Sequence, residues 1–244
     1  MTYCVAMCLS EGLLFASDSR TNAGIDHVAT FRKMHCFDRP DGTIVLLNAG
    51  NLATTQSVIS LLRTRCDNVD EINLNNVPNL YEAANLVGAT MREVLARDSN
   101  GQTQGQGVDY SCSFLLGGQL HAQAPRLFTI YPQGNFIESS NDTPYFQIGE
   151  SKYGKPIIDR VVQFDTPLAH AAKCTLISFD STIKSNLSVG LPIDILLYRR
   201  DQTTPRTPQR IHADDLYFKA LRQGWGEGLR HVFGTLPDAD WFQS

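Results

Sequence analysis

The sequence predicts an α+β protein built from two antiparallel sheets stacked face to face, with pairs of helices outside them. Three observations lead there. Strand-sized apolar runs come in groups, and helical periodicities come in pairs between the groups: strands, two helices, strands, two helices, strand, tail. That order does not fit βαβ units, in which strands and helices alternate singly. The first run, Tyr3–Leu9, is apolar on both faces, as expected of a strand lying between layers. A chain of 244 residues with 42% hydrophobic side chains can also bury a core of that size.

Taken in order, Tyr3–Leu9 and Leu13–Ala16 flank Ser10-Glu11-Gly12 and read as a hairpin. Phe31–Phe37 is expected to be extended, and Thr43–Asn48 to be a buried strand after the turn Pro40-Asp41-Gly42. A helix is expected from about Ala53, with Val58, Leu61 and Leu62 inward. A second is marked by Leu80, Ala84, Val87, Met91, Val94 and Leu95 at helical spacing. Asn79 and Glu82 resemble a capping box at its start. Arg97–Tyr110, rich in Gly, Gln, Asn and Ser, reads as a loop. Strands resume at Cys112–Leu116, Leu127–Tyr131 and Tyr145–Ile148, with turns at Gly117-Gly118 and Pro132-Gln133-Gly134. Helices follow over about Tyr153–Val162 and from Pro167, whose ring suits a first turn, through Leu168, Ala172, Leu176, Phe179 and Ile183. Ile193–Tyr198 is a strand and Asp201–Arg210 a loop. Asp214–Arg222 is a helix, followed by Trp225, Gly226 and Gly228. No internal repeat stands out.

Composition narrows the function. Lys and Arg number 21 and Asp and Glu 25, a net charge of −4. That leaves no cationic surplus for a nucleic-acid backbone. The apolar runs are far too short to span a membrane, and the N-terminus lacks the basic start and long apolar run of a signal peptide. A cytoplasmic protein is expected. Cys4, Cys8, Cys36, Cys66, Cys112 and Cys174 form no CxxC pair and sit mostly in apolar stretches, so reduced, buried thiols are expected rather than disulfides or a zinc site. His27, His35, His121, His170, His212 and His231 are scattered and read as ordinary surface or core residues. Trp225 and Trp241 would anchor the tail to the body or to a neighbouring subunit.

Chemistry concentrates at the N-terminus. Removal of the initiator Met would expose Thr2, whose hydroxyl is a nucleophile and whose own α-amine can serve as general base. That amine titrates near neutrality, with a reference pKa of about 7.7–8.0. If Leu9 and Leu13 flank the turn, paired hairpin positions sum to about 22, which sets Thr2 opposite Ser19–Arg20 with Asp18 one step away. Lys33 is a lone lysine whose ammonium would favour deprotonated forms of Thr2, with Asp18 holding it charged and aimed. By themselves these residues are commonplace, since an Asp-x-Arg and a Lys more often lie on a solvated surface.

The set Thr2, Phe15-Ala16-Ser17-Asp18-Ser19-Arg20, Lys33 and Asn48-Ala49-Gly50 resembles proteasome β-type subunits and the bacterial peptidase HslV. It most closely resembles their bacterial relative Anbu, the ancestral β subunit. The start Met-Thr-Tyr-Cys-Val-Ala-Met and the run Ala-Ser-Asp-Ser-Arg-Thr-Asn-Ala-Gly are the most specific pieces. The likeness continues through Ser113–Gly118, Arg126–Gly134, Ile148–Gly154 and Leu187–Asp194, covering residues 2 to about 200.

The resemblance implies a four-layer αββα sandwich of the N-terminal-nucleophile hydrolase type. It implies that Thr2 is the nucleophile, that Asp18 and Lys33 form the polarising pair, and that the Gly50 N–H donates to the oxyanion. Asn48 and Leu52 would line the pocket reading a substrate side chain, although Asn48 at a strand end is equally a structural residue. Two segments depart from the family pattern. Where relatives carry Gly-Ser-Gly this chain has Gly149-Glu150-Ser151, with Ser151 the favoured auxiliary hydroxyl unless it only caps the next helix. In the Asp180–Ser188 segment, Ser188 is the better positional match, with Asp180 on a helix surface. Residues 200–244 form an extension expected to serve packing or assembly. The resemblance further implies peptide or unfolded-protein substrates, a homo-oligomeric ring or open spiral, an ATP-dependent unfoldase as possible partner, and no metal or organic cofactor. A small-amide hydrolase and a non-catalytic assembly scaffold are the rivals.

Overall fold

Two consecutive apolar segments joined by a two-residue turn begin the fold and lie at its centre. The structure is a computed structural model and describes all residues except 23–27, 100–108, 121–122, 201, 203–206 and 244. The hairpin is β1 (Tyr3–Leu9) and β2 (Gly12–Asp18). Short β3 (Arg20–Asn22) and β4 (Val28–Thr30) pair with each other, and β5 (Met34–Arg39), β6 (Gly42–Gly50), α1 (Leu52–Cys66) and α2 (Leu80–Ser99) follow. Then come β7 (Cys112–Leu120), β8 (Arg126–Ile130), β9 (Phe136–Glu138), β10 (Tyr145–Gly149), α3 (Lys155–Val161) and α4 (Leu168–Ser185). The chain ends with β11 (Ile193–Arg199), β12 (Gln209–Ile211), α5 (Leu216–Thr235) and a 3-10 turn at Asp240–Gln243.

One five-stranded sheet has the order β10-β1-β2-β11-β12 and the other β5-β6-β7-β8-β9, both antiparallel throughout. Three apolar clusters define four layers. Phe15, Leu47, Leu115 and Leu196 pack between the sheets. Val58, Val87, Met91 and Phe128 join α1 and α2 to one sheet. Tyr3, Val5, Phe179 and Ile158 join α3 and α4 to the other. This is the α+β sandwich with helix pairs outside, layered αββα. The six cysteines are free, with Cys4, Cys112 and Cys174 buried and Cys8, Cys36 and Cys66 partly so.

Several expectations are corrected. The hairpin pairs Cys4 with Ser17 and Leu9 with Gly12, one residue short of the expected register, because only Ser10 and Glu11 lie in the turn. That slip brings Asp18, not Ser19, to the backbone beside Thr2. Gly117 and Gly118 are inside β7 rather than in a turn. A Cβ on Gly118 would collide with the Thr43 carbonyl and one on Gly117 with the Phe15 ring, so these glycines let strand and sheet approach closely. Pro167 is the N-cap of α4 rather than in its first turn. Of the expected loop at 97–110, residues 97–99 close α2 and residues 100–108 lie outside the described set. Within the expected loop Asp201–Arg210, residues 209–210 open β12.

Helix α5 runs thirteen residues past its expected end at Arg222. Gly224, Gly228 and Gly234 lie within it with open space where a side chain would stand, so they cost helix propensity but break nothing. Only its first half packs on the body, through buried Phe218 and an Arg222–Asp180 ion pair at 2.5 Å. Trp225 is partly buried and Trp241 is 73% exposed.

Candidate active site

Asp18 ends β2 and is completely buried, and Lys33 immediately precedes β5 and is nearly so. Lys33 Nζ donates to Asp18 Oδ1 at 2.7 Å, and the Tyr3 backbone N–H donates to the same oxygen at 3.0 Å. The Gly190 N–H reaches Oδ2 at 3.4 Å. All three partners are donors, so this shell accommodates a carboxylate and leaves no acceptor for a carboxylic acid proton. Burial pushes the Asp18 carboxyl up from its ordinary value, and Lys33 with the two backbone N–H groups pulls it back. Lys33 also donates to the Arg20 carbonyl at 2.7 Å. Its own carbonyl accepts from the Asn48 N–H at 3.0 Å, which ties it to β6.

Thr2 sits at the mouth of this pair. Its carbonyl accepts from the Glu150 N–H at 2.7 Å, and a side chain at Gly149 (φ +81°) would strike that carbonyl. Met1 precedes it, 64% exposed. Burial, then the Lys33 ammonium, holds the Met1 amino group below its ordinary value, while Asp18 and Glu150 act in the opposite direction. Thr2, Asp18 and Lys33 therefore meet at one end of the inter-sheet space.

The other expected residues are distributed as follows. Gly50 ends β6, exposed, with φ +112° and no room for a side chain against the Ser111 carbonyl. Asn48 and Leu52 line one cavity of about 300 Å3, together with Phe31, Arg32, His35 and Ile59. Ser188 is partly buried in the turn before Gly190, its N–H donating to Asn186 Oδ1 at 2.9 Å. Ser151 is elsewhere, on a groove with Tyr145, Lys155 and Asp159. Strand β10 ends where Gly149 pairs with Tyr3; the Glu150 N–H still reaches the Thr2 carbonyl, and the chain bends at Glu150 before Ser151. The Glu150 carboxylate, 8% exposed, accepts from Asn186 Nδ2 at 2.8 Å and lies 3.4 Å from Lys152 Nζ. Asp180 is not on a helix surface. It is 1% exposed and paired with Arg222 and, at 2.9 Å, Lys184, so it fastens α5 to α4.

Two residues escaped the sequence reading. Asn186 links Glu150 to the Ser188 turn, and its amide lies 3.8 Å from the Met1 sulfur. No local pattern marked it. His35 lies two residues past Lys33 and so could have been placed on the same strand face; its Nε2 lies 3.0 Å from Asn48 Oδ1. Burial lowers His35 to about 4, helped by Arg63 and Arg32 and opposed by the Asn48 bond. His27 and His121 lie outside the described residues.

Comparison with known proteins bears on the family and the fold. The family model for proteasome subunits matches residues 2–195. Anbu (ancestral beta-subunit) from Yersinia bercovieri is 58% identical, with 98% of this chain and 99% of that chain covered and a TM-score of 0.92. A structure described as the helical assembly of the Anbu complex from Pseudomonas aeruginosa is 55% identical over 97% of this chain and 98% of that one, at a TM-score of 0.93. Anbu from Hyphomicrobium sp. strain MC1 is 47% identical over 98% and 99%, at 0.89. No match was found among curated proteins. With its sandwich and a match over most of its length, the chain belongs to the proteasome subunit family and, within it, to the Anbu group.

Proposed function

We propose that the chain is a threonine-type peptidase whose mature form begins at Thr2. The observation that carries this reading is the buried Asp18 carboxylate, shared between the Lys33 ammonium and the backbone N–H next to Thr2. A carboxylate buried with its cation is costly to keep unless geometry is good, and such pairs cluster at functional sites. Once Met1 is removed, the Thr2 α-amine takes the proton from the Thr2 hydroxyl as its Oγ attacks a peptide carbonyl. Lys33, held by Asp18, stabilises the deprotonated oxygen, and the Gly50 N–H donates to the oxyanion. The amine product departs with the proton, leaving an ester on Thr2. Water, deprotonated by the same amine, then releases the acid. Glu150 and Asn186 hold the amine, the part sequence reasoning gave to Ser151, and Ser188 shapes the turn that presents Gly190 to Asp18. No cofactor enters these steps.

Homo-oligomerisation belongs to the same reading. Leu229, Val232 and Phe233 on the outer half of α5, with Leu236 at its C-cap, form an exposed apolar face beyond the span matched by the family model. A Pseudomonas aeruginosa relative is described as a helical assembly. An apolar face of this kind suits a contact between copies of the chain. Peptides or unfolded proteins are the substrates this reading implies, with an ATP-dependent unfoldase as supplier.

A non-catalytic scaffold is favoured by one observation, the carboxylate of Glu150 at the position where the resemblance to proteasome β subunits implies a hydroxyl. Intact-protein mass after incubation with a peptide epoxyketone, alongside Thr2→Ala, separates the two readings. A single adduct on a chain lacking Met1, absent from Thr2→Ala, supports the peptidase. Met1 retained, or no adduct on a folded assembly, supports the scaffold.

A further inference from the structure

Beside the Thr2 site, the cavity of about 300 Å3 is unusual in its charge. Its walls are apolar at Leu52 and Ile59 and neutral polar at Thr55, Gln56 and Ser60; Arg32 is its one cation, beside His35 and Asn48, and no carboxylate lines it among the described residues. Arg32 makes no hydrogen bond or ion pair among the described residues, so its guanidinium is available to a ligand. The Asn48 amide oxygen can only accept, so His35 Nε2 carries the hydrogen that joins them at 3.0 Å. That bond turns the Asn48 amide so that its NH2, a pair of donors, is the group left for a ligand. The cavity also adjoins the catalytic pair through the chain itself: Arg32 precedes Lys33, and Asn48 lies two residues before Gly50 and donates its backbone N–H to Lys33.

From this we infer that the cavity recognises an acidic side chain on the acyl side of the bond to be cut, with Arg32 supplying the charge and the Asn48 amide a second donor. The inference rests on the peptidase reading, and it adds a substrate class: peptides with Glu or Asp before the scissile bond. A guanidinium and an amide converging on one carboxylate give a charge-assisted pair of hydrogen bonds, and such bonds discriminate more strongly than apolar contact. Arg32 is itself exposed, so water solvates it when P1 is uncharged and the preference rests on the gain with a carboxylate, whereas a basic P1 residue would meet like charge.

The test uses the full assembled protein and four tripeptide epoxyketones identical except for P1: Glu, Gln, Leu and Lys. The rate of Thr2 adduct formation is read by intact mass. The Glu probe is expected to react about 2- to 5-fold faster than Leu, the range given by an ion pair to an exposed side chain. Arg32→Gln should reduce the Glu-to-Leu ratio by the same factor, and Arg32→Glu should shift the preference to Lys. A wild type that prefers Leu or Lys, or an Arg32→Gln ratio equal to wild type, overturns the specificity and leaves the peptidase standing. Absence of adduct with all four probes overturns both.

Discussion

Replacing His35 with Gln tests the environment of the cavity through folding. The His35 ring is partly buried, donates to Asn48 and has Arg32 and Arg63 as charged neighbours. Its ordinary value of 6.5 falls to about 4 in the folded chain. In the unfolded chain it would titrate near the ordinary value, so between about pH 6.5 and 4 the unfolded state holds a proton that the folded state does not. Stability therefore rises with pH across this window and is lost as pH falls through it. At about 1.4 kcal/mol per pH unit, the full gap amounts to about 3 kcal/mol as an upper bound. Water reaching the ring reduces it. Gln cannot titrate, and its amide N–H can still donate to Asn48.

Urea unfolding of both proteins at a fixed subunit concentration, from pH 8 to 4.5, gives the difference curve in which other titrating groups cancel. Wild type should match or exceed the variant above pH 7 and lose ground to it below about pH 6.5, the difference moving by up to about 1.4 kcal/mol per pH unit. Curves that stay parallel, or a wild type that gains relative stability in acid, would refute the placement of a neutral His35 in this wall.

Two further outcomes follow from the same geometry. Lys33→Met removes one partner of a buried pair and should cost about 3–5 kcal/mol at neutral pH in urea unfolding; the loss should shrink on acidification, because an Asp18 without its cation binds a proton more readily folded than unfolded. Phe233→Asp, on the exposed face of α5, should leave the monomer fold intact by circular dichroism but reduce the assembly mass in sedimentation or light scattering; an unchanged mass would exclude this half of α5 as the contact between copies.

Much of this molecule is legible along the chain because the relevant physics is local. Apolar runs, the helical spacing from Leu80 to Leu95 and the Asn79 cap, whose Oδ1 accepts from the Glu82 N–H at 3.0 Å, depend on residues a few positions apart. Thr2, Asp18, Lys33 and Gly50 were nameable from short motifs, and they were nameable together only through the resemblance to proteasome β subunits. What the chain could not reveal depends on contacts between distant segments. The hairpin register turned on how many residues the turn absorbs, and one residue decided whether Asp18 or Ser19 faces the backbone beside Thr2. The inward position of Glu150 depends on the pairing of β10 with β1, set by segments almost 150 residues apart. Asn186, His35 and the Arg222 clasp on Asp180 became visible only when strands and helices were packed. Sequence thus determined which elements form and where nucleophile chemistry sits. Tertiary packing alone decided which side chains face Thr2 and what charge lines the neighbouring cavity, because register and layer contacts are long-range properties that no window of residues contains.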